Sequence, residues 1–395
     1  MCERWMNVSV RCLFVLAAMV AILSVVAPQP VRAQGASAAQ QPSAQKGQQA
    51  AQPKTPDPRV GKKFIVKVAG AELRTPKAIV WKAYLGETFT VALANGEWLW
   101  IHDKGGWLSQ NQTIAFDTAI QETSAAIQKA PTAENFHLRG IAYVAHQDYD
   151  RAIADFTQSL KLEPGRPGVL NNRGQAFYLK GDYASAIKDL DGAVKADPKH
   201  FIALNNRALA HIAANQLPAA MNDLNAALTL HPEYPEALNN RGVVHSRQGN
   251  YKEAVADLTE AIKQYPDYVD ALGNRSFAFR RLSEFPAAIA DLKSAMEKAP
   301  LDYKPVNDLA WILATAPAPV QNAPEAVALA EKACQMTQYT NWNALDTLAA
   351  AHAAKGDFKV AGQWVTTALE KTPEAYKPRV QEHQQLILAG KPIPQ

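Results

Sequence analysis

Leu170-Asn171-Asn172-Arg173-Gly174 opens a pattern that the chain repeats every 34 residues. It returns as Leu204-Asn205-Asn206-Arg207-Ala208, then as Leu238-Asn239-Asn240-Arg241-Gly242, and with one change as Leu272-Gly273-Asn274-Arg275-Ser276. Prolines close the units at the same step, at Pro164, Pro198, Pro232, Pro266 and Pro300. A repeat of this length predicts an array of stacked helix pairs, because a single pair is too small to bury a core alone.

The composition is that of an ordinary globular chain. The sequence has 395 residues, 48% of them hydrophobic and 20% charged, and its formal net charge is +4. A charge this small gives no basis for nucleic-acid binding. Cys2 and Cys12 lie near the N-terminus, so Cys334 is alone in the rest of the sequence and no disulfide framework is expected.

Residues 1–33 have the features of a secretory signal peptide. Arg4 and Arg11 give a basic start, residues 13–27 form an uncharged apolar run, and Val31-Arg32-Ala33 supplies a cleavage pattern. The run is shorter than the ~20 residues that span a bilayer comfortably. We therefore predict an extracytoplasmic protein, periplasmic or secreted, after cleavage near Ala33. The alternative is an inner-membrane anchor at residues 13–27, and contact with a membrane is expected only in that case.

Two segments precede the repeats. Residues 34–60 are rich in Gln, Ala, Pro and Ser and lack large apolar side chains, which predicts a disordered linker. Residues 61–115 contain short β-rich runs separated by turn signals, of which Asn95-Gly96 is a strong hairpin signal. Five or six strands in this short segment predict a small closed barrel.

Residues 61–115 resemble bacterial SH3-like domains, through the run from Trp98 to Ile101 followed by Gly106-Trp107-Leu108. The resemblance implies a ligand groove for Pro-rich or cell-wall material. Trp98, Trp100 and Trp107, together with Trp81, are the candidates to line it. The other interpretation is that the tryptophans fill the core, because a small barrel needs large side chains. We expect at least two of the four in the core.

The helical array is predicted to begin with half a repeat at residues 116–132 and to end with a capping helix and tail at residues 376–395. Seven units lie between them, at residues 133–166, 167–200, 201–234, 235–268, 269–302, 303–341 and 342–375. The sixth unit carries about five extra residues near residues 316–323.

Small and large residues alternate at fixed places in each unit. With Ala133 as position 1, position 8 holds Gly, Ala or Ser, and position 24 holds Phe, Leu or Val. Small residues let two antiparallel helices approach closely. This pattern resembles the tetratricopeptide repeat. The resemblance implies a mainly α fold, a right-handed tetratricopeptide α-solenoid after the SH3-like β-barrel. It also implies that positions 2, 5, 6, 9, 12 and 13 of each first helix line a concave face.

A row of asparagines occupies position 6, at Asn172, Asn206, Asn240 and Asn274. An Asn side chain offers one acceptor and two donors, which match a peptide unit of a bound segment. Position 9, at Gln175, Leu209, Val243 and Phe277, would supply side-chain pockets. The residues predicted to contact the bound peptide are the four asparagines, Gln175 and Phe277. The alternative is that the asparagines hydrogen-bond the backbone of the neighbouring repeat.

Charged residues also recur. Position 7 holds Arg139, Arg173, Arg207, Arg241 and Arg275, and position 23 holds Asp155, Asp189, Asp223, Asp257 and Asp291. We predict Arg–Asp pairs that tie helices together, a structural role. His211 and His245 are predicted to pack in the core, since neither has the further ligands that a metal needs.

The sequence has none of the catalytic motifs that we sought, so no enzymatic activity, metal or cofactor is predicted. The predicted function is an exported scaffold whose concave face binds an extended segment of another protein or peptide. The alternative is a cell-envelope protein whose SH3-like domain binds wall peptide or glycan, with the solenoid as a spacer. An enzyme subunit and a purely architectural scaffold are the remaining alternatives.

Overall fold

The computed structural model describes residues 57–67, 71–75, 79–83, 87–101 and 106–394. The predicted signal peptide and almost all of the predicted linker lie outside the described residues, as does the side chain of Trp81. The described chain forms two compact units, residues 57–180 and residues 181–394.

The first unit begins with a seven-stranded antiparallel sheet. Its strands are β1 (Lys63–Val66), β2 (Ala71–Arg74), β3 (Ile79–Ala83), β4 (Thr88–Asn95), β5 (Trp98–Ile101), β6 (Gly106–Ser109) and β7 (Thr113–Ala115). They lie in the order β3-β2-β6-β5-β4-β1-β7. The predicted hairpin is present, since Asn95 pairs with Trp98 and Gly96 takes a φ of 58° in the turn. Strands β2 and β7 have no counterpart in the sequence prediction.

The sheet is open. Among the described residues, β3 and β7 are edge strands and do not pair with each other, so a closed SH3-like barrel is not formed. One face is apolar through strand alternation, with Leu73, Leu99 and Leu108 fully buried. Strand β1 is buried on both faces, because Phe64 packs in this sheet core while Ile65 packs with the first helices. The β1–β7 edge is therefore used to attach the sheet to the helices.

Helices make up the rest of the first unit. They are α1 (Ala119–Lys129), α2 (Ala133–Ala145), α3 (Tyr149–Leu162) and α4 (Pro167–Lys180). A short 3-10 turn, Phe116–Thr118, leads from β7 into α1, which packs against α2 as the predicted half-repeat requires.

The second unit is all helical. Its helices are α5 (Tyr183–Ala196), α6 (Phe201–Ala213), α7 (Leu217–Leu230), α8 (Pro235–Arg247), α9 (Tyr251–Gln264), α10 (Val269–Arg281), α11 (Phe285–Lys298), α12 (Tyr303–Thr315), α13 (Ala323–Met336), α14 (Trp342–Lys355), α15 (Phe358–Lys371) and α16 (Lys377–Leu388). The pairs α6/α7, α8/α9, α10/α11, α12/α13 and α14/α15 each form an antiparallel hairpin with extensive contacts. The extra residues of the sixth unit form the link at residues 316–322 between α12 and α13.

Close approach within each pair depends on the small residue at position 8. A Cβ atom added at Gly242 would lie 2.7 Å from Cγ of Leu258, and one added at Gly140 would lie 2.5 Å from Cε1 of Phe156. Leu258 and Phe156 are fully buried. The predicted small and large residues at positions 8 and 24 are therefore in contact in these two helix pairs.

The final helix closes the second unit. Val380 and Ile387 of α16 are buried against the preceding pair. Asp346 of α14 is fully buried, and its two carboxylate oxygens lie 2.9 and 3.0 Å from Nδ1 of His383. The buried carboxylate is thus paired, as burial of a charge requires. Among the described residues, no helix combines the length and apolar character needed to cross a membrane.

The contact between Gly242 and Leu258 gives a test by substitution in the full chain. Gly242→Ala should lower stability by about 1–3 kcal/mol, because the new methyl group overlaps a branched, buried side chain. The matched control is Gly362→Ala in α15, where an added Cβ meets nothing within 4 Å. That change should stabilise by about 0.5–1 kcal/mol, since alanine is the better helix former. Urea unfolding midpoints measure both, and equal effects of the two variants would contradict the packing.

Candidate functional site

Four arginines at position 7 form two-point ion pairs with the position-23 aspartate of their own helix pair. In each, the arginine Nε and Nη2 donate to the two oxygens of one carboxylate. The Nε–Oδ2 distance is 2.7 Å for Arg139–Asp155 and 2.8 Å for Arg207–Asp223, Arg241–Asp257 and Arg275–Asp291. The predicted Arg–Asp pairing is confirmed for these four pairs.

Each of these arginines also reaches back to the preceding unit. Nη1 of Arg241 donates to Oδ1 of Asn225 at 3.0 Å, and Nη1 of Arg207 donates to Oδ1 of Asp191 at 2.8 Å. Equivalent contacts link Arg173 to Thr157 and Arg275 to Thr259, each 16 positions earlier, and Arg139 to Ser124, 15 positions earlier. The guanidinium groups therefore join neighbouring units, which is a structural role.

The asparagines at position 6 form a second set of links, between neighbouring first helices. Nδ2 of Asn240 donates to Oδ1 of Asn205 at 2.8 Å, and Nδ2 of Asn274 donates to Oδ1 of Asn239 at 2.9 Å. Between α2 and α4, Nδ2 of Asn172 lies 3.0 Å from Nε2 of His137. In every case the partner is the position-5 side chain, 35 residues earlier.

These links bury part of the predicted site. Asn172 and Asn240 are 8% and 3% exposed, whereas Asn206 and Asn274 are half-buried. The sequence left open the alternative that these asparagines hydrogen-bond a neighbouring repeat. The three described amides do so, but their partners are side chains and not the backbone. At position 9, Gln175 and Phe277 keep partial exposure, while Leu209 and Val243 are buried.

The row of links is interrupted between α10 and α12. Position 5 of α10 is Gly273, which has no side chain to accept a hydrogen bond, and position 6 of α12 is Asp308, which has no amide donor. A Cβ added at Gly273 would meet nothing within 4 Å. A cavity of about 110 Å³ lies at this point. The missing link leaves open space between two first helices.

The cavity is lined largely by the positions expected to face a ligand. They are Asp270, Gly273, Asn274, Phe277 and Arg280 at positions 2, 5, 6, 9 and 12 of α10, and Lys304, Asp308 and Trp311 at positions 2, 6 and 9 of α12. Asp302, Pro305 and Ile312 complete the wall from the α12 side. The cavity thus combines aromatic rings, an amide, three carboxylates and two cationic side chains.

Burial dominates the electrostatics of the cavity. It raises the pKa of Asp308 from 3.8 to about 6, although the attraction of Arg280 opposes the shift. Burial also raises the pKa of Asp270, against the attraction of Lys304. Asp302 accepts a hydrogen bond from the backbone N–H of Lys304 at the start of α12. The local positive charge therefore does not compensate for the desolvation of these two half-buried carboxyls.

The structure brings two predicted contacts, Asn274 and Phe277, into this cavity, and it leaves Gln175 in the other compact unit. Asp270, Asp308 and Trp311 were not predicted as site residues. The sequence did contain a signal for them, since Gly273 and Asp308 depart from the Asn pattern at positions 5 and 6 in consecutive units.

A separate apolar strip lies on the outer face of the sheet. Trp100 pairs with Leu93 on one side and with Trp107 on the other, and the rings of Trp100 and Trp107 are 5.3 Å apart. Trp98 is 44% exposed, and Trp100 and Trp107 are half-buried. The expectation that at least two of the four tryptophans fill the core is therefore wrong. Strand alternation gives the core to leucines and places these rings on the other face.

Two histidines and the cysteine of the helical array lie outside the cavity. Nε2 of His211 lies 3.9 Å from Oδ2 of Asp223, and Nε2 of His245 lies 3.8 Å from Oδ2 of Asp257. Both aspartates are position-23 partners of the arginines. Cys334 is fully buried, and burial raises the pKa of its thiol to about 12, so it stays protonated. Within the described residues, no group of His, Cys, Asp or Glu side chains could hold a metal ion.

The repeat family is evident from the comparison with known families. Residues 137–201 and residues 207–273 each match a model of the tetratricopeptide repeat. These two segments are therefore tetratricopeptide repeats, and the helical part of the chain has the solenoid fold of such repeats. Such repeats generally mediate protein–protein interactions, and the fold is typically a non-enzymatic scaffold.

Solved structures show the same fold. The crystal structure of the APC/C heterotetramer Cut9–Hcn1 matches at 17% identity with a TM-score of 0.54, covering 60% of this chain and 46% of that chain. A tetratricopeptide repeat protein from Parabacteroides merdae matches at 19% identity with a TM-score of 0.51, covering 65% of this chain and 98% of that chain. The chain thus spans less than half of the Cut9–Hcn1 chain that it matches. No curated protein matches the sequence.

Proposed function

We propose that this chain is a non-enzymatic scaffold that binds an extended segment of another protein along the face formed by its first helices. The observation that carries the proposal is the cavity between α10 and α12. Its wall is built from the positions that the repeat pattern assigns to the ligand face, and it contains two of the residues predicted as contacts. Tetratricopeptide repeats bind proteins and peptides in general, which supports the same function.

The chemistry of the cavity suits a peptide. Phe277 is half-buried and Trp311 also lines the wall, so a side chain entering the cavity would remove apolar surface from water. Asn274 donates its amide N–H to Asn239, which leaves its Oδ1 available to accept a backbone N–H from a ligand. Asn206 and Gln175 keep partial exposure and remain predicted contacts on the same repeat face. Asn172 and Asn240 would act by holding neighbouring first helices in place.

A second candidate function rests on the strip of Trp98, Trp100 and Trp107. Exposed aromatic rings on a sheet favour stacking on sugar rings or prolines. We propose that this face binds cell-envelope material, wall peptide or glycan, either as a second contact beside the repeats or as the main one. Two modest sites on one chain would reinforce each other through effective concentration.

We further propose that the chain is exported, from the signal pattern at residues 1–33. The protein would then be periplasmic or secreted, with the uncleaved inner-membrane anchor as the alternative.

Phe277 gives the test of segment binding. The full chain is used to select N-terminally acetylated linear peptides from a random library, and fluorescence polarisation then measures their Kd. We expect Phe277→Ala to weaken the selected peptides by about tenfold, the loss of roughly 1.4 kcal/mol of apolar contact. Lys293→Ala, on the exposed surface of α11, is the control and should change nothing. Peptides that bind both variants equally would contradict a site at the cavity.

The sheet surface is tested by sedimentation of the full chain with purified wall material. Trp100→Ala with Trp107→Ala should abolish cosedimentation, because both rings of the central pair are removed. Lys188→Ala, a change in the helical array, should leave cosedimentation intact. Retention of wall binding by the double tryptophan variant would argue against this surface.

Export is tested by the intact mass of the protein recovered from a bacterial expression host. Cleavage after Ala33 should remove residues 1–33, so that the N-terminal residue is Gln34. Recovery of the uncleaved chain from the membrane fraction would instead support the anchor.

A further inference from the structure

The cavity between α10 and α12 identifies one feature of the ligand more closely, an inference that rests on the proposed segment binding. We propose that the cavity takes a basic side chain, lysine or arginine, of the bound segment. Its cationic group would lie between the carboxylates of Asp270 and Asp308, and its aliphatic part would pack on Phe277 and Trp311.

The interrupted asparagine row provides the space. At three earlier junctions the position-6 amide of one unit lies against the position-5 side chain of the unit before it, as Asn240 donates to Asn205 at 2.8 Å. At the cavity, Gly273 removes the acceptor, and Asp308 replaces the donor with a carboxylate. The chain has therefore replaced a closed link between repeats by an opening that presents a negative charge.

The charges decide which ligand fits. Three carboxylates, Asp270, Asp302 and Asp308, face two cations, Arg280 and Lys304, so the wall carries a net charge of −1 when all five are ionised. Arg280 also lies over the ring of Phe277, with Cζ 5.3 Å from the ring centre. Asp302 is already hydrogen-bonded to the backbone at the start of α12. An incoming cation supplies the charge that the wall lacks, whereas an acidic side chain would add to the excess.

The cost of the bare cavity supports the same conclusion. Burial raises the pKa of Asp308 to about 6 and raises the pKa of Asp270. A carboxyl kept in a place that disfavours its charged form weakens the free protein at neutral pH. A bound cation would offset that cost. Phe277 and Trp311 add the apolar wall on which the aliphatic part of a lysine or arginine packs.

The wall sets a limit on size as well. A volume of about 110 Å³ is enough for one side chain and too little for a folded element. The ligand therefore enters with a single side chain while its backbone stays outside.

The experiment uses the acetylated peptides selected on the full chain. In each peptide, every lysine is replaced in turn by norleucine and every arginine by citrulline, and the Kd is measured at pH 7.5. We expect one basic residue per peptide whose replacement weakens binding by about tenfold or more. We expect Asp308→Asn and Asp270→Asn to produce the same loss with the unmodified peptide and little further loss with the substituted one. Glu297→Gln, which removes an exposed carboxylate on α11, should leave every Kd unchanged.

The outcomes separate this inference from the proposed function. Peptides that depend on Phe277 but not on a basic residue or on Asp308 would overturn the basic-side-chain inference and leave segment binding intact. Failure to obtain any peptide that depends on Phe277 would remove both. Selected peptides that are acidic would also overturn the inference. So would peptides that lose binding only when they are made without the acetyl group.

Acidification provides an independent readout. The groups that face Asp308 are Asp270 and Arg280 on α10, and Asp302 and Lys304 at the start of α12. Because a bound cation favours the ionised carboxyl, binding releases a proton near pH 6, and affinity should fall as the pH drops from 7.5 to 5. Asp308→Asn should lose most of this pH dependence. An unchanged pH dependence in the variant would contradict the assignment.

Thermal unfolding tests whether the variant remains folded. Asp308 is neutral in both folded and unfolded chains only well below pH 3.8, and it is ionised in both only well above pH 6, where the folded chain bears the full burial cost. Asp308→Asn should therefore raise the Tm at pH 7.5 and raise it much less at pH 4. A more stable variant that no longer distinguishes basic peptides would locate the defect in binding and not in folding, whereas a variant that still distinguishes them would refute the role of Asp308.

Discussion

The structure depends on how closely two helices can approach within each repeat. At Gly242 and Gly140 the space beside the backbone is already occupied by Leu258 and Phe156, so the small residue is required by contact and not by backbone conformation. This constraint fixes where the second helix lies. Once that distance is set, Nε and Nη2 of an arginine at position 7 can both donate to the carboxylate at position 23. The charged pairs are consequences of the packing, and they then hold its register.

The same geometry limits which asparagine atoms can contact a ligand. Neighbouring first helices are joined through asparagine amides, and a donor used for this purpose is not free to bind a peptide. A cavity between two first helices therefore needs an interruption in the row. Gly273 and Asp308 provide one, and the cavity lies where they face each other. Structural uniformity and binding are in competition here, and the departure from the repeat pattern is the more informative feature.

Much of the fold follows from the sequence, because its causes are local or periodic. The helix pairs, the half-repeat at α1, the turn at Gly96 and the arginine–aspartate pairs all come from spacing alone. The open sheet does not, since it depends on β1 being covered on both faces, which involves helices far along the chain. The direction of the asparagine side chains and the exposure of Trp98 were likewise undetermined, because a repeat pattern fixes position along a helix but not which neighbour a side chain meets. The cavity needed two residues in different units to be compared.

The hydrogen bond from Nη1 of each position-7 arginine to the preceding repeat gives the array a direction. In the described residues, the guanidiniums of Arg207, Arg241 and Arg275 each bond to their own repeat and to the one before it. Shortening the array from its carboxyl end thus leaves the surviving guanidiniums fully coordinated, whereas shortening it from the amino end strips one bond from the first that remains. A nascent chain, which emerges amino end first, meets this requirement at every stage of synthesis, because each new hairpin docks on a neighbour that is already made.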